Sequence, residues 1–349
     1  KIIIEGGLVH RPGLAAYNLY RPARLAPGDP LKAWPWLLHV YRVYPQEYRH
    51  IVMWCAQRVQ QPGIKINHGL VLGGAQGIGK DTLLKPVIEA VGRWNAKTIS
   101  PTQLTERFNE FARAVLLIIQ EARNLGEMDR YGFYEQSKIY LAAPPDTLRV
   151  DEKHLRAYAI LNACGVVITT NHKENGIYLP ADDRRHFVAW SYLTKADFTD
   201  EYWKRLHGWL DAEGTAHVAA FLASIDISKF DPKALPPKTT AFWDIVDAER
   251  PPEDSQLADL LDQIGRPAAI TLQQVIALAD AGLAEMLKDR KHRRQVPSRM
   301  QAAGYIRVRN PHAKDGDWKL DNRRHAIYAR EDLCLRDQLE AAKALTVGR

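Results

Sequence analysis

The chain has 349 residues, 46% hydrophobic and 26% charged, with a formal net charge of +7. These are the proportions of an ordinary folded protein with a large core and room for two or three domains. No run approaches the roughly 18 apolar residues that a membrane span needs, and no secretory signal pattern opens the chain, so no membrane partner and a cytoplasmic location are expected.

Cys55, Cys164 and Cys334 are odd in number and widely spaced, unlike a disulfide or zinc framework. Without Cys-x-x-Cys or His-Glu-x-x-His, no structural metal is expected. The charge is uneven: residues 286–330 hold 13 Lys or Arg against 4 Asp or Glu. A basic C-terminal module fits a polyanionic partner.

In chain order, residues 1–30 contain Gly6-Gly7, Pro12-Gly13 and Pro27-Gly28 and begin on Lys1, which reads as a turn-rich lead-in cut from a longer polypeptide. Over 34–61 the apolar spacing turns helical around a break at Pro45, with Leu37, Tyr41, Ile51, Trp54, Cys55 and Val59 as core positions. Pro62-Gly63 closes this first division, 1–62, and a second, 63–195, follows.

Leu70-Val71-Leu72 is a short apolar run, Gly74-Ala75-Gln76-Gly77-Ile78-Gly79-Lys80 fits G-x-x-x-x-G-K, and the residues beyond are helix-compatible. Strand, glycine-rich loop and helix in that order are what a phosphate-binding loop requires. The glycines let backbone N–H groups point at an anion, the helix start adds its positive dipole end, and the Lys80 ammonium reaches the outer phosphates. Gly74 through Thr82 are therefore candidate ATP contacts. Asp81 stands where Ser or Thr normally contacts magnesium, and Thr82 follows; both are candidate Mg2+ ligands.

Residues 82–91 read as a helix, 96–100 as a strand, and Ser100-Pro101-Thr102-Gln103 as the start of another helix. Residues 114–119 form an aliphatic run without alternation, the pattern of a strand buried on both faces of a parallel sheet. It ends in Gln120-Glu121. At that end of the strand a carboxylate can orient the attacking water, and Glu121 is the candidate. The aspartate that usually precedes such a glutamate is replaced by Gln120. Either the metal's carboxylate contact has moved across to Asp81, or Asp81 is a first-turn residue favoured by the helix dipole, with Thr82 or water serving the metal.

Residues 131–141 read as a helix, and 148–162 as a hairpin whose charged tip, with Arg149, Lys153, His154 and Arg156, suits a nucleic-acid backbone or a solvated turn equally. A second buried strand, 165–170, ends in Asn171, an amide placed to sense a terminal phosphate or hold water. Before a strand at 188–190 stand Asp183-Arg184-Arg185, and such arginines suit a guanidinium reaching a neighbouring subunit's nucleotide.

A third division, 196–240, carries Tyr202, Trp203, Leu206, Trp209 and Leu210 at helical spacing, read as core, and closes in a proline-rich linker. In the fourth, 241–349, Thr271 caps a helix, 292–303 forms a second, and strands at 304–309 and 326–329 flank a long basic loop. That is the order of a winged-helix-like domain, which sets its second helix in a groove and its wing on phosphates. Arg293, Arg294, Arg299, Lys314, Lys319, Arg323 and Arg324 are its candidate DNA contacts.

Composition and spacing alone reach a P-loop ATPase of the α/β class, a parallel sheet with flanking helices. The loop at 74–80, the strand ending at Glu121, Val150-Asp151-Glu152-Lys153, Thr169-Thr170-Asn171 and Asp183-Arg184-Arg185, in that order, resemble the superfamily 3 helicases. These are the AAA+-type helicases of viruses, phages and mobile elements, and the likeness is greatest to phage and prophage primase-helicase proteins. It covers 34–190, about half the chain. The resemblance implies a hexameric ring with ATP and Mg2+ bound between neighbours. Lys80 and Glu121 would serve from one side, Asn171 as sensor, and Arg184 or Arg185 in trans. It also implies a pore hairpin gripping single-stranded or forked DNA through Lys153 and His154, and a primase domain or partner. The expected function is an ATP-dependent DNA helicase or translocase in phage, prophage or mobile-element replication. A nucleotide or small-molecule kinase shares the loop but needs neither Asn171, the arginine pair nor a basic module. A DNA-binding regulator with a relic ATPase is the reading that Gln120 favours.

Overall fold

The aliphatic runs at 70–72, 116–119 and 165–170 carry apolar side chains on both faces, so each must be covered twice. They become the three inner strands of a five-stranded parallel sheet. The computed structural model describes residues 7–11, 13–120, 130–173, 176–248, 252–289, 296–313, 315–320 and 323–347. It divides into two units, Lys1–Glu249 and Arg250–Arg349.

In the first unit a hairpin of β1 (Gly7–Arg11) and β2 (Leu14–Asn18) leads to α1 (Trp34–Val43) and α2 (Tyr48–Gln60), parted at Pro45. Next come β3 (Gly69–Gly74), α3 (Lys80–Val91), β4 (Ala96–Ile99), β5 (Leu116–Ile119) and α4 (Arg130–Leu141). A hairpin of β6 (Thr147–Val150) and β7 (Tyr158–Leu161) precedes β8 (Gly165–Thr170) and β9 (His186–Ser191), and α5 (Asp200–Trp209), α6 (Thr215–Ser224) and α7 (Thr240–Ala248) complete the unit. The helix expected after Ser100 is only a 3-10 turn, Thr102–Thr105, although Leu104, Phe108, Phe111 and Ala112 continue at helical spacing.

The sheet order is β4-β5-β8-β3-β9. One face packs Leu70, Leu72, Leu116 and Ile118 against Trp36, Ile51, Trp54 and Val218 from α1, α2 and α6. The other packs Val71, Leu117, Ile168 and Val188 against Phe133 of α4, Leu148 of β6, and Phe242 and Ile245 of α7. Alternate residues of each strand thus feed opposite cores. The helices of 34–61 belong to the same core as the loop strand, and α7, which the sequence groups with the C-terminal module, packs with the first unit. Tyr41 is 51% exposed, not core as its spacing suggested; it stands edge-on to Tyr48.

The second unit comprises α8 (Pro252–Gln263), β10 (Ala269–Thr271), α9 (Leu272–Leu278), α10 (Ala281–Lys288), α11 (Val296–Ala302), β11 (Tyr305–Val308), β12 (Trp318–Leu320), β13 (Arg323–His325), β14 (Ile327–Arg330) and α12 (Leu335–Val347). Thr271 caps α9 and forms a capping box with Gln274. β10, β14 and β11 make an antiparallel sheet in that order, over a core of Leu257, Leu261, Val275, Leu283, Met300 and Tyr305. The long basic loop contains the hairpin β12–β13, anchored where Trp318 Nε1 donates to the Val308 carbonyl at 2.8 Å. Among the described residues no helix is long and apolar enough to cross a membrane.

Candidate functional site

Parallel register brings the ends of β3, β5 and β8 to one edge of the sheet, and the loop residues assemble there. Gly74, Gly77 and Gly79 have φ of +138°, +85° and +91°, which side chains disfavour. A Cβ on Gly79 would lie 2.6 Å from both the His39 ring and Trp203. Ile78 is fully buried and pins the loop to the core, while Gln76 and Gly77 are exposed and Ala75 is half-buried. The Leu83 N–H donates to the Gly79 carbonyl at 2.9 Å, so the amides of Lys80, Asp81 and Thr82 form the positive end of α3.

Lys80 Nζ donates to the carbonyls of Gly74 at 2.6 Å and Ala75 at 3.0 Å, and to Asn171 Oδ1 at 2.7 Å. Burial lowers its pKa to about 8, with neighbouring Asp81 opposing the shift. An ammonium held by neutral acceptors gains most from an incoming anion. Gln120 Nε2 donates to Asp81 Oδ1 at 3.3 Å, so the two positions that depart from the usual phosphate-loop pattern meet across the site. Thr82 Oγ1 lies 3.2 Å from His207 Nε2. A cavity of about 410 Å3 lies over the loop, lined by Gln76, Lys80, Asp81, Gln120 and Asn171 and closed by Trp203 and His207.

Trp203 thus lines the cavity, although its spacing marked it as core, and no sequence signal singled out His207. Their four-residue separation put them on one helix face, but nothing local said which element that face would meet. Glu121, Arg293, Arg294 and Lys314 lie outside the described residues. Among the described residues no group of three His, Cys, Asp or Glu could hold a metal ion. Asp81 and Thr82 still offer hard oxygen donors of the kind Mg2+ takes in small number, since it keeps several waters and leans on substrate phosphates.

Arg184 and Arg185 are not brought to the loop. They precede β9, and the Gly69 N–H donates to the Arg185 carbonyl at 2.9 Å, level with the start of β3. β3 is six residues long, which puts them roughly 17 Å along the strand from the glycines at ~3.3 Å per residue. Buried Asp183 builds their turn: Oδ1 accepts from the N–H of Arg185 at 3.0 Å and of His186 at 2.9 Å, and Oδ2 from the Tyr134 hydroxyl at 3.0 Å. Burial alone would raise the Asp183 carboxyl; the His186 ring and these donors outweigh it and hold it well below the usual range. Arg184 is exposed and Arg185 half-buried.

Lys153 and His154 sit at the tip of the β6–β7 hairpin. Its base is braced by the Asp151 N–H donating to Asn109 Oδ1 at 2.8 Å, and by Glu152 pairing with Arg113 at 3.2 Å. Beyond it Lys153, His154, Leu155 and Arg156 are exposed. In the second unit Lys319 faces Arg324 across β12–β13, beside Arg323, and all three are exposed. Like charges directly opposed weaken a hairpin; Asp315, paired with Arg324, relieves part of this. Arg299 on α11 reaches Met286 Sδ at 3.0 Å.

Residues 72–185 match a protein family described as a family of unknown function, DUF5906. No curated protein matches the chain. Among solved structures, an apo structure of the NrS-1 C-terminal region superposes with a TM-score of 0.68 at 14% identity, over 94% of this chain and 83% of that one. Its A form gives 0.65 at 15% identity over the same shares. The JCV helicase is more distant, with a TM-score of 0.36 at 12% identity over 67% and 66%. The likeness to the NrS-1 region is one of fold.

Proposed function

We propose that the chain hydrolyses ATP on the 74–82 loop and uses the reaction to move along DNA, as a superfamily 3 helicase or translocase in phage, prophage or mobile-element replication. The observation that carries this reading is the Lys80 ammonium, gathered with Asn171 at the C-terminal edge of a parallel sheet beside the end of β5. Lys80, the loop amides and the start of α3 take the phosphates. Asp81 and Thr82 would hold Mg2+, which would supply charge neutralisation. Glu121, next after Gln120, accepts the proton of the attacking water, and Asn171 orients that water or senses the terminal phosphate.

Arg184 and Arg185 lie too far from their own loop for a guanidinium to reach it, which supports a role at a neighbouring copy's loop in a homo-oligomeric, hexameric ring. The hairpin tip at Lys153 and His154 is the candidate grip on single-stranded DNA. In the second unit, the order helix, strand, helices, strand, hairpin, strand supports a winged-helix-like domain with β12–β13 as its wing. Lys319, Arg323 and Arg324 would then rest on phosphates, and Arg299 would face the groove from α11, the candidate recognition helix.

Mixing two variants tests the shared site. Lys80→Ala and Arg185→Ala should each lose DNA-stimulated hydrolysis alone and regain part of it when mixed, because some interfaces then join an intact loop to an intact arginine. Full activity of a variant carrying both Arg184→Ala and Arg185→Ala would contradict the trans role. A second reading, a DNA-binding regulator with a spent ATPase, is favoured by one contact: the neutral Gln120 amide engages Asp81 where an acid is usual. Wild-type hydrolysis that is lost in Lys80→Ala would exclude it.

A further inference from the structure

The cavity over the phosphate loop is lined by two chemically different sets of groups. Lys80, Asn171 and the helix start suit phosphate. Trp203 and His207, one turn apart on the same face of α5, close it with aromatic surface. The Trp203 ring comes so close to Gly79 that a Cβ there would be 2.6 Å from Cη2. His207 Nε2 is 3.2 Å from Thr82 Oγ1, and the two rings are 5.5 Å apart. Upstream, the aliphatic stem of Lys195 lies along Gly77, 3.4 Å from where a Cβ would be. The segment 195–207 therefore meets the loop and the start of α3 at Gly77, Gly79 and Thr82.

Trp203 is fixed from behind. Phe198 and Tyr202 pack on it with ring centroids 5.1 and 5.2 Å away, and His39 at 5.7 Å. His39 is itself held, Nδ1 at 2.8 Å from the Tyr202 hydroxyl and Nε2 at 3.0 Å from the Gly79 carbonyl. The Trp203 side chain nevertheless keeps part of its surface on the cavity. An immobilised aromatic surface beside a phosphate site offers stacking, an interaction that phosphate groups cannot use and every nucleobase can.

We propose that Trp203 and His207 form a nucleoside subsite, with Trp203 stacking on the base and His207 hydrogen-bonding a ribose hydroxyl or base edge, so that the site selects nucleoside triphosphates over inorganic polyphosphates. This rests on the reading of 74–82 as a phosphate loop. Stacking alone discriminates little between bases, so the subsite reads the presence of a nucleoside more than its identity.

The test is calorimetric titration of the full chain with ATP and, separately, with inorganic tripolyphosphate, both with Mg2+. Trp203→Ala should weaken ATP roughly tenfold or more, as loss of one base–aromatic stack does, and leave tripolyphosphate unchanged. Trp203→Phe should restore most of the ATP affinity. His207→Ala, at an exposed position that does not threaten the fold, should likewise weaken ATP alone. Equal losses for both ligands, or ATP binding unchanged in Trp203→Ala and His207→Ala, would overturn the subsite. A wild-type chain that binds neither ligand would overturn the phosphate-loop reading, and the subsite with it.

Discussion

At Lys80 burial and function pull in opposite directions. The desolvation that takes its pKa down to about 8 also strengthens any pairing with phosphate, provided the proton is present. Below pH 8 the ammonium is there to pair; above it the proton leaves and the pairing goes with it. ATP affinity should therefore fall between pH 7 and 9, by up to about tenfold per pH unit beyond the pKa. Lys80→Arg, whose guanidinium stays charged, should flatten that profile, and a wild-type affinity constant through pH 9 would contradict the assignment. Lys80 and the glycines were legible in the sequence because the loop is local and its chemistry is written in consecutive residues. The departures at Asp81 and Gln120 were legible as a coincidence of two positions; only the fold brings them to 3.3 Å. Trp203 and His207 were not legible, because their meeting with Gly79 and Thr82 spans more than a hundred residues of chain.

At the scale of elements, the contact between α2 and the segment entering β3 carries a pH dependence. His50 Nε2 and His68 Nε2 are 2.8 Å apart, close enough for one proton between them and not two. His50 also stacks on Phe187, with centroids 3.9 Å apart. Burial lowers the His50 pKa to about 4; burial, then the His50 and His186 charges, lower that of His68 to about 3. Both sit below the unfolded value of about 6.5, so the folded chain binds fewer protons than the unfolded one in between. Their contribution is complete above pH 6.5 and is lost as pH falls towards 4. The Tm should drop between pH 7 and 5, and His68→Gln should make that drop shallower; a Tm equal at both pH values would contradict the account. Buried strands were legible as unbroken aliphatic runs, and the β6–β7 hairpin as two short runs around a charged tip. The hairpin β12–β13 was not, since it pairs only three residues a side inside a stretch dominated by charge. The turn at Thr102–Thr105 shows the reverse failure: a good helix start and an apolar spacing at Leu104, Phe108, Phe111 and Ala112 that the chain divides between two separate 3-10 turns, the second at Glu110–Arg113.

For the whole molecule, the sequence separates an α/β unit from a basic one, and the structure draws that division at Glu249 and Arg250. The spread of charge carries this scale of the argument. Positive side chains gather at the tip of one hairpin in the first unit and on the β12–β13 hairpin in the second, the surfaces where the proposed DNA partner would be met. What ties the two surfaces to the loop is the proposal that hydrolysis and DNA engagement are one process. The direct measurement is the ATP hydrolysis rate of the full chain with and without single-stranded DNA, in wild type and Lys80→Ala. The account predicts a rate that rises with DNA and vanishes in the variant. A rate indifferent to DNA, or one that survives Lys80→Ala, would contradict it.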